Sequence, residues 1–212
     1  MPLHWHEPVD VPTQPPPDLH ASTHASRAAL ERVLADPDEA DAWAFLASTY
    51  AEMAAEWQEW VLTQPWYDSA VREGLRHANP APWVFEVGCG TGEATPLLAG
   101  YAGRVVSTDA NLAMLRLAPR RVGVEYLRSD VRALPLRDAS VPLLVGLNAI
   151  PHIKEFTRVI GSAGQLLWCT SYGPGTPLYV EPERLLRLFG PGWTGEAGRA
   201  GHGDWMLLSR NA

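Results

Sequence analysis

Gly88, Gly90 and Gly92 stand at alternate positions behind a short apolar run, residues 84–87, which itself carries a carboxylate, Glu86. Glycines spaced in this way let the backbone turn sharply out of a strand and bring its N–H groups close to a ligand at the start of a following helix. Two more runs rich in β-branched residues each end on a carboxylate. Residues 104–109 place Asp109 17 positions after Gly92, and residues 124–130 place Asp130 a further 21 positions on. Carboxylates at the C-terminal ends of successive parallel strands face the crevice where doubly wound sheets bind their ligands. Asp109 is placed to accept both hydroxyls of a ribose, which a carboxylate can do and an amide cannot do twice.

A nicotinamide-binding turn requires G-x-G-x-x-G, and here the last position is Glu93. The pattern E-x-G-x-G-x-G at residues 86–92 instead resembles motif I of the class I S-adenosylmethionine-dependent methyltransferases. The resemblance extends over residues 83–210. Residues 141–153 resemble motif IV, strand four and the loop beneath the reactive methyl, and residues 158–168 resemble the segment leading into strand five. It implies an α/β fold with a Rossmann-like, doubly wound sheet of seven strands in the order 3-2-1-4-5-7-6, strand seven antiparallel, and S-adenosyl-L-methionine as cofactor. It also implies cofactor contacts from Glu86, Gly88, Gly90, Gly92, Asp109, Ala110, Met114, Asp130, Val131 and Asn148. Asp130 would accept from the adenine amino group while the Val131 N–H meets a ring nitrogen. Two departures stand out. Pro142 occupies the usual place of an aspartate at the start of strand four, tolerable as the strand's first residue, and the turn Gly161-Ser162-Ala163-Gly164 lacks the usual Lys-Pro.

The elements that must position these residues are set by the rest of the chain. The 212 residues suffice for one domain plus an appendage, and 46% hydrophobic with 19% charged residues describes a soluble globular protein. No apolar run approaches the ~20 residues that span a bilayer, and no basic flank precedes an apolar stretch at the N-terminus, so neither membrane nor leader is expected. Cys89 lies in the glycine loop after strand one and Cys169 in strand five, strands that the implied order separates by strand four, roughly 9–10 Å across the sheet, too far for a disulfide. A reduced, cytoplasmic protein follows. Residues 1–80 hold 13 acidic and 4 basic side chains, and residues 81–212 hold 11 and 13. A nucleic-acid enzyme needs cationic surface to offset phosphates, so no nucleic-acid partner is expected. The Asn-Pro-Pro-aromatic tetrad of amino-directed DNA methyltransferases is also absent, because Ala-Ile-Pro-His follows Asn148.

Three regions are expected: a proline-rich tail at 1–20, an N-terminal helical cap or lid at 21–80, and the methyltransferase domain at 81–212. The tail holds six prolines and reads as a strap. His4, His6, His20 and His24 lack a cysteine or a second cluster to support a metal site and read as solvated, so no metal is expected. A helix is predicted over about 23–35, capped by Ser22 and stopped at Asp36-Pro37. A longer one is predicted over about 38–62, with Trp43, Leu46, Tyr50, Met53, Ala54, Trp57 and Val61 on one stripe. A third carries Tyr67, Val71 and Leu75. Tyr50, Trp57, Trp60 and Tyr67, with Tyr172, are the candidate substrate-lining residues, since small-molecule members of the family use N-terminal helices as a lid. Towards the C-terminus a helix at about 181–189 precedes a glycine-rich stretch, residues 190–203, and a final strand.

Methyl transfer from a sulfonium is an in-line displacement, so the protein must chiefly hold the nucleophile near and aligned, and a hydroxyl or ammonium nucleophile also needs a base. His152, after strand four, is the candidate base, since histidine titrates near neutrality; capping the next helix is its alternative role. His202 is a further lining candidate. The function read from these residues is methyl transfer to a small-molecule acceptor, in a biosynthetic setting, as a homodimer or with a small partner protein. A methyltransferase fold serving intramolecular cyclisation, or a non-catalytic subunit, is the alternative, because fold alone does not separate them.

Overall fold

A computed structural model describes residues 3–211. The central sheet contains eight strands: β1 (His4–Trp5), β2 (Val84–Val87), β3 (Val105–Asp109), β4 (Val124–Arg128), β5 (Val141–Leu147), β6 (Ile160–Thr170), β7 (Trp193–Ala200) and β8 (Gly203–Arg210). Their order is β1-β7-β8-β6-β5-β2-β3-β4, with β8 antiparallel to both β6 and β7 and the other pairs parallel. Read from the β4 edge, the strands from β2 onward follow the expected 3-2-1-4-5-7-6 order. The strand count is corrected from seven to eight, because part of the proline-rich strap pairs with β7: His4 registers with Glu196 and Trp5 with Ala197.

Alternation along the strands sorts side chains onto two faces. Phe85, Val87, Leu144, Leu166 and Trp168 join a core closed by helices α1 (Ala25–Ala35), α2 (Ala40–Glu52), α7 (Ile153–Val159) and α8 (Pro182–Phe189). Val84, Val105, Leu143, Val145 and Leu167 join the other, closed by α4 (Ser69–His77) and α5 (Thr95–Tyr101). The remaining helices are α3 (Ala54–Val61) and α6 (Leu112–Leu117). Residues buried on α4, Val71 and Leu75, therefore pack in the same cluster as Val84 and Leu98.

Several local expectations are corrected. The single helix over 38–62 is two, α2 and α3, because Met53 leaves the helical region at φ −91° and ψ 3°. Beyond that break α3 is held against α6, where Gln58 Nε2 donates to the Leu117 carbonyl at 3.1 Å. Helix α1 is capped by His24, whose side chain accepts from the Ser26 N–H, and not by Ser22. Pro142 is the second residue of β5, not the first, and it is tolerated because the register with β6 breaks between Val141 and Leu143. The turn at residues 161–164 lies inside β6, with Ala163 at φ +61°, and takes up the extra residues of that break. The glycine-rich stretch after α8 is largely strand β7, where Gly198 makes room for the Trp205 ring: a Cβ there would sit 2.7 Å from it.

Candidate active site

A cavity of about 290 Å³ opens over the C-terminal ends of β2, β3 and β5. One part of its wall is backbone and carboxylate. Gly88 and Gly90 adopt φ +62° and +55°, the left-handed region that glycine enters without cost. A Cβ on Gly88 would lie 2.8 Å from the Ala149 Cβ, so the close approach of the two loops depends on that glycine. Asp109 accepts from the Gly90 N–H at 2.9 Å through one oxygen and from the Asn111 N–H at 2.8 Å through the other. Burial pushes its carboxyl up, against the pull of these two N–H groups. Glu86 is buried beneath the loop and accepts from Thr95 Oγ1 at 2.7 Å and Ser107 Oγ at 2.6 Å. Burial pushes it up to about 7.

Asp130 is drawn sideways. Arg132 donates to both its oxygens, the shortest contact being 2.6 Å, and the guanidinium lies 5.3 Å from the centre of the Trp43 ring. The ion pair holds the Asp130 carboxyl below its usual range. Ala110, Met114, Val131 and Asn148 also line the cavity, whereas Gly92 lies outside the lining and packs beside Pro119 and Tyr126.

The other part of the wall is aromatic. Tyr50, Trp57, Trp60, Tyr67 and Tyr172 all line the same cavity. Trp57, Trp60 and Tyr67 meet at centroid distances of 5.2 to 6.3 Å, and Tyr172 joins them at 6.2 Å from both Trp60 and Tyr67. Asn148 ties this group to the sheet. At φ +51° it donates to the Tyr67 hydroxyl at 2.7 Å and to Ser171 Oγ at 2.8 Å, while its own carbonyl accepts from the Ser171 N–H at 2.9 Å. Asparagine is among the few side chains that take this backbone conformation readily. Burial, with Glu93 nearby, pushes the Tyr67 phenol well above its usual value.

His152 is not on the cavity wall. It is buried at the start of α7, where Nδ1 accepts from the Glu155 N–H at 3.3 Å, and burial lowers its pKa. A neutral imidazole is what such a cap requires, so this placement favours the capping role over the base. His202 also lies outside the lining, 6.3 Å from the Tyr172 ring. Two features of the wall escaped the sequence reading. Glu93, used there only to reject a dinucleotide turn, lines the cavity, bonds to Thr91 Oγ1, and is pushed up by burial. The Arg132–Trp43 stack closes the wall beside Asp130; an arginine two residues after a strand-end aspartate was its one signal.

Residues 84–167 match a family described as methyltransferase domain. This stretch, less than half of the chain, is a methyltransferase domain of the class I, S-adenosylmethionine-dependent kind. A Mycobacterium tuberculosis protein named "Probable S-adenosylmethionine-dependent methyltransferase" is 31% identical over 117 residues, 50% of this chain and 43% of the relative. A mouse "Probable tRNA methyltransferase 9B" is 29% identical over 107 residues, 46% of this chain and 23% of the relative. The matched stretches thus span less than half the length of these relatives. Among solved structures, the DhpI–SAH complex superposes with a TM-score of 0.64 at 20% identity, over 78% of this chain and 95% of that one. A methyltransferase solved with the Haloferax volcanii Trm112 methyltransferase activator gives 0.64 at 13%, over 77% and 98%. Both structures share the fold of this chain. Within the described residues no helix is long and apolar enough to cross a membrane.

Proposed function

We propose that this methyltransferase transfers a methyl group from S-adenosylmethionine to a small, partly apolar acceptor held against its aromatic wall. The observation that carries the reading is a single cavity lined both by the glycine loop with Asp109 and by Trp57, Trp60, Tyr67 and Tyr172. The cofactor fits the residues present. Glu86, Glu93 and Asp109 give the lining a surplus of acid, and the guanidinium on the wall, Arg132, is already paired with Asp130. Such a wall suits a ligand bearing sulfonium and ammonium charges.

Bound there, S-adenosylmethionine supplies an electrophilic methyl on sulfur. Asp109 keeps lone pairs beyond its two backbone bonds, and these would accept the ribose hydroxyls. Gly88 and Gly90 let the backbone approach without a side chain in the way. The Arg132–Trp43 stack and the Val131 N–H would border the adenine. The aromatic wall would orient the acceptor and exclude water, which is most of what an in-line displacement asks of a protein. Glu93 is the carboxylate suited to take the acceptor's proton on an oxygen, since burial already moves it towards neutrality.

Similarity to the tRNA methyltransferases favours a second reading, an RNA acceptor. The 13 acidic and 4 basic side chains of residues 1–80, the part that supplies all of the aromatic wall but Tyr172, weigh against it. Methyl-labelled cofactor, incubated with the chain and either a panel of small amines, phenols and carboxylic acids or total tRNA, separates the two. Label in a small acceptor is expected. Label in tRNA alone would replace this reading, and tight cofactor binding with no transfer to either would favour a non-methylating role. Adding an activator protein as a second arm tests whether the chain works alone.

A further inference from the structure

His6, His77 and Glu196 meet at the sheet edge, away from the cavity, with one donor atom from each lying within 4.8 Å of the others. They come from three distant parts of the chain: the residue after β1, the last residue of α4, and the middle of β7. His6 Nε2 stands 2.6 Å from Glu196 Oε2, and His77 Nδ1 stands 3.9 Å from the same oxygen. The side chains are 29%, 24% and 31% exposed, so the group is held by the fold yet open to solvent. We propose that His6, His77 and Glu196 bind one zinc ion, with water as the fourth ligand, and that the ion clasps the N-terminal strand to the sheet.

Two imidazoles and one carboxylate form a ligand set that suits zinc and disfavours magnesium or calcium, which take oxygen ligands. The surroundings orient the ligands as a metal site requires. Glu73 Oε1 lies 3.5 Å from His77 Nε2, a carboxylate on the far nitrogen that leaves the Nδ1 lone pair facing Glu196. Trp205 stacks on the His77 ring at 4.4 Å and 25°, in the space that Gly198 leaves open. This fixes the plane of the imidazole before any ion arrives.

The need for such a clasp follows from β1 itself. It is a two-residue strand, supported beyond its pair by the His6 N–H on the Ala197 carbonyl at 2.8 Å and the Val9 N–H on the Arg199 carbonyl at 2.9 Å. An ion joining residue 6 to residues 77 and 196 adds its binding free energy directly to the ordering of this segment.

The test uses the full chain stripped of metal by a chelator and titrated calorimetrically with Zn²⁺. One equivalent is expected to bind, raising the melting temperature and protecting residues 3–12 from proteolysis; Mg²⁺ is expected to do neither. His77→Ala and Glu196→Gln should each weaken zinc binding by at least about 10-fold, and Glu73→Gln by about 10-fold as a positioning residue. His20→Ala, an exposed histidine elsewhere in the strap, should leave it unchanged. Should His77→Ala fail to fold, the Co²⁺-loaded protein provides a second readout: four-coordinate visible absorption in the wild type that Glu196→Gln alters. No stoichiometric zinc uptake by the wild type, or uptake undiminished in Glu196→Gln, would overturn the proposal.

Discussion

Where Gly88, Gly90 and Asp109 form the cavity wall, the contacts offered are backbone groups and a carboxylate already fixed by two N–H bonds; where Trp57, Trp60, Tyr67 and Tyr172 form it, the contacts are ring faces from separate helices and loops. The first part is preorganised by strand ends that share one sheet. The second depends on α3 keeping its place against α6, and on Asn148 holding Tyr67. The difference teaches a division of labour. Under the proposed function, rigid, directional groups would meet a cofactor shared across a family, whereas apolar surface that tolerates exchange would meet the acceptor, which varies between enzymes.

The sharpest way to break this division is to alter the residue placed between the two parts. Glu93→Gln should lower turnover by about 10²–10⁴-fold while cofactor affinity, read by calorimetry, changes little; a loss of cofactor affinity instead would move Glu93 to the cofactor's side. Asp109→Ala should weaken cofactor binding by about 1.5–3 kcal/mol, the range for charged hydrogen bonds, leaving the fold intact by circular dichroism. Glu86 gives a pH signature beneath the loop. Its folded value, about 7, lies above the ordinary carboxylate value of 4.5, so the stability it contributes is complete below about 4.5 and lost as pH rises through about 7. Glu86→Gln should therefore flatten the fall in unfolding free energy across that window, by an amount on the order of 1–3 kcal/mol. Trp60→Ala should raise the acceptor KM by roughly 5–10-fold, about 1–1.5 kcal/mol for one aromatic contact, with cofactor affinity within about twofold. The smallest effect on catalysis is expected of His152→Ala: a stability loss of about 0.5–1 kcal/mol for the cap and turnover within about threefold. A collapse of turnover in that variant would restore His152 to the chemistry.

The sheet order and the polar wall were legible because both rest on short-range rules. A glycine triplet after an apolar run and carboxylates closing the next two runs lie within some 45 residues of chain, and strand-end geometry does the rest. The aromatic wall was legible as an apolar stripe, but the break at Met53 was not, since no proline or glycine marks it and its support comes from Leu117, far along the chain. His152 shows the limit of arguing from position. Sequence placed it after strand four correctly, yet whether an imidazole there faces ligand or backbone depends on which hydrogen bond it makes, and here Nδ1 accepts from the Glu155 N–H. The strap was harder still. His4 and Trp5 carry no strand signal of their own and pair because β7 presents an open edge to them.

That last pairing has a consequence for handling the protein. An unpaired, glycine-containing strand at the border of a large sheet is a template for joining another molecule's strand. Residues 3–9 run along β7 and take up its outward-facing groups, down to the Gly201 N–H on the Val9 carbonyl at 3.1 Å. Residues 3–9 are thus a built-in stopper against sheet-to-sheet association, and a tag or trimming scheme that displaces them would leave a sticky border.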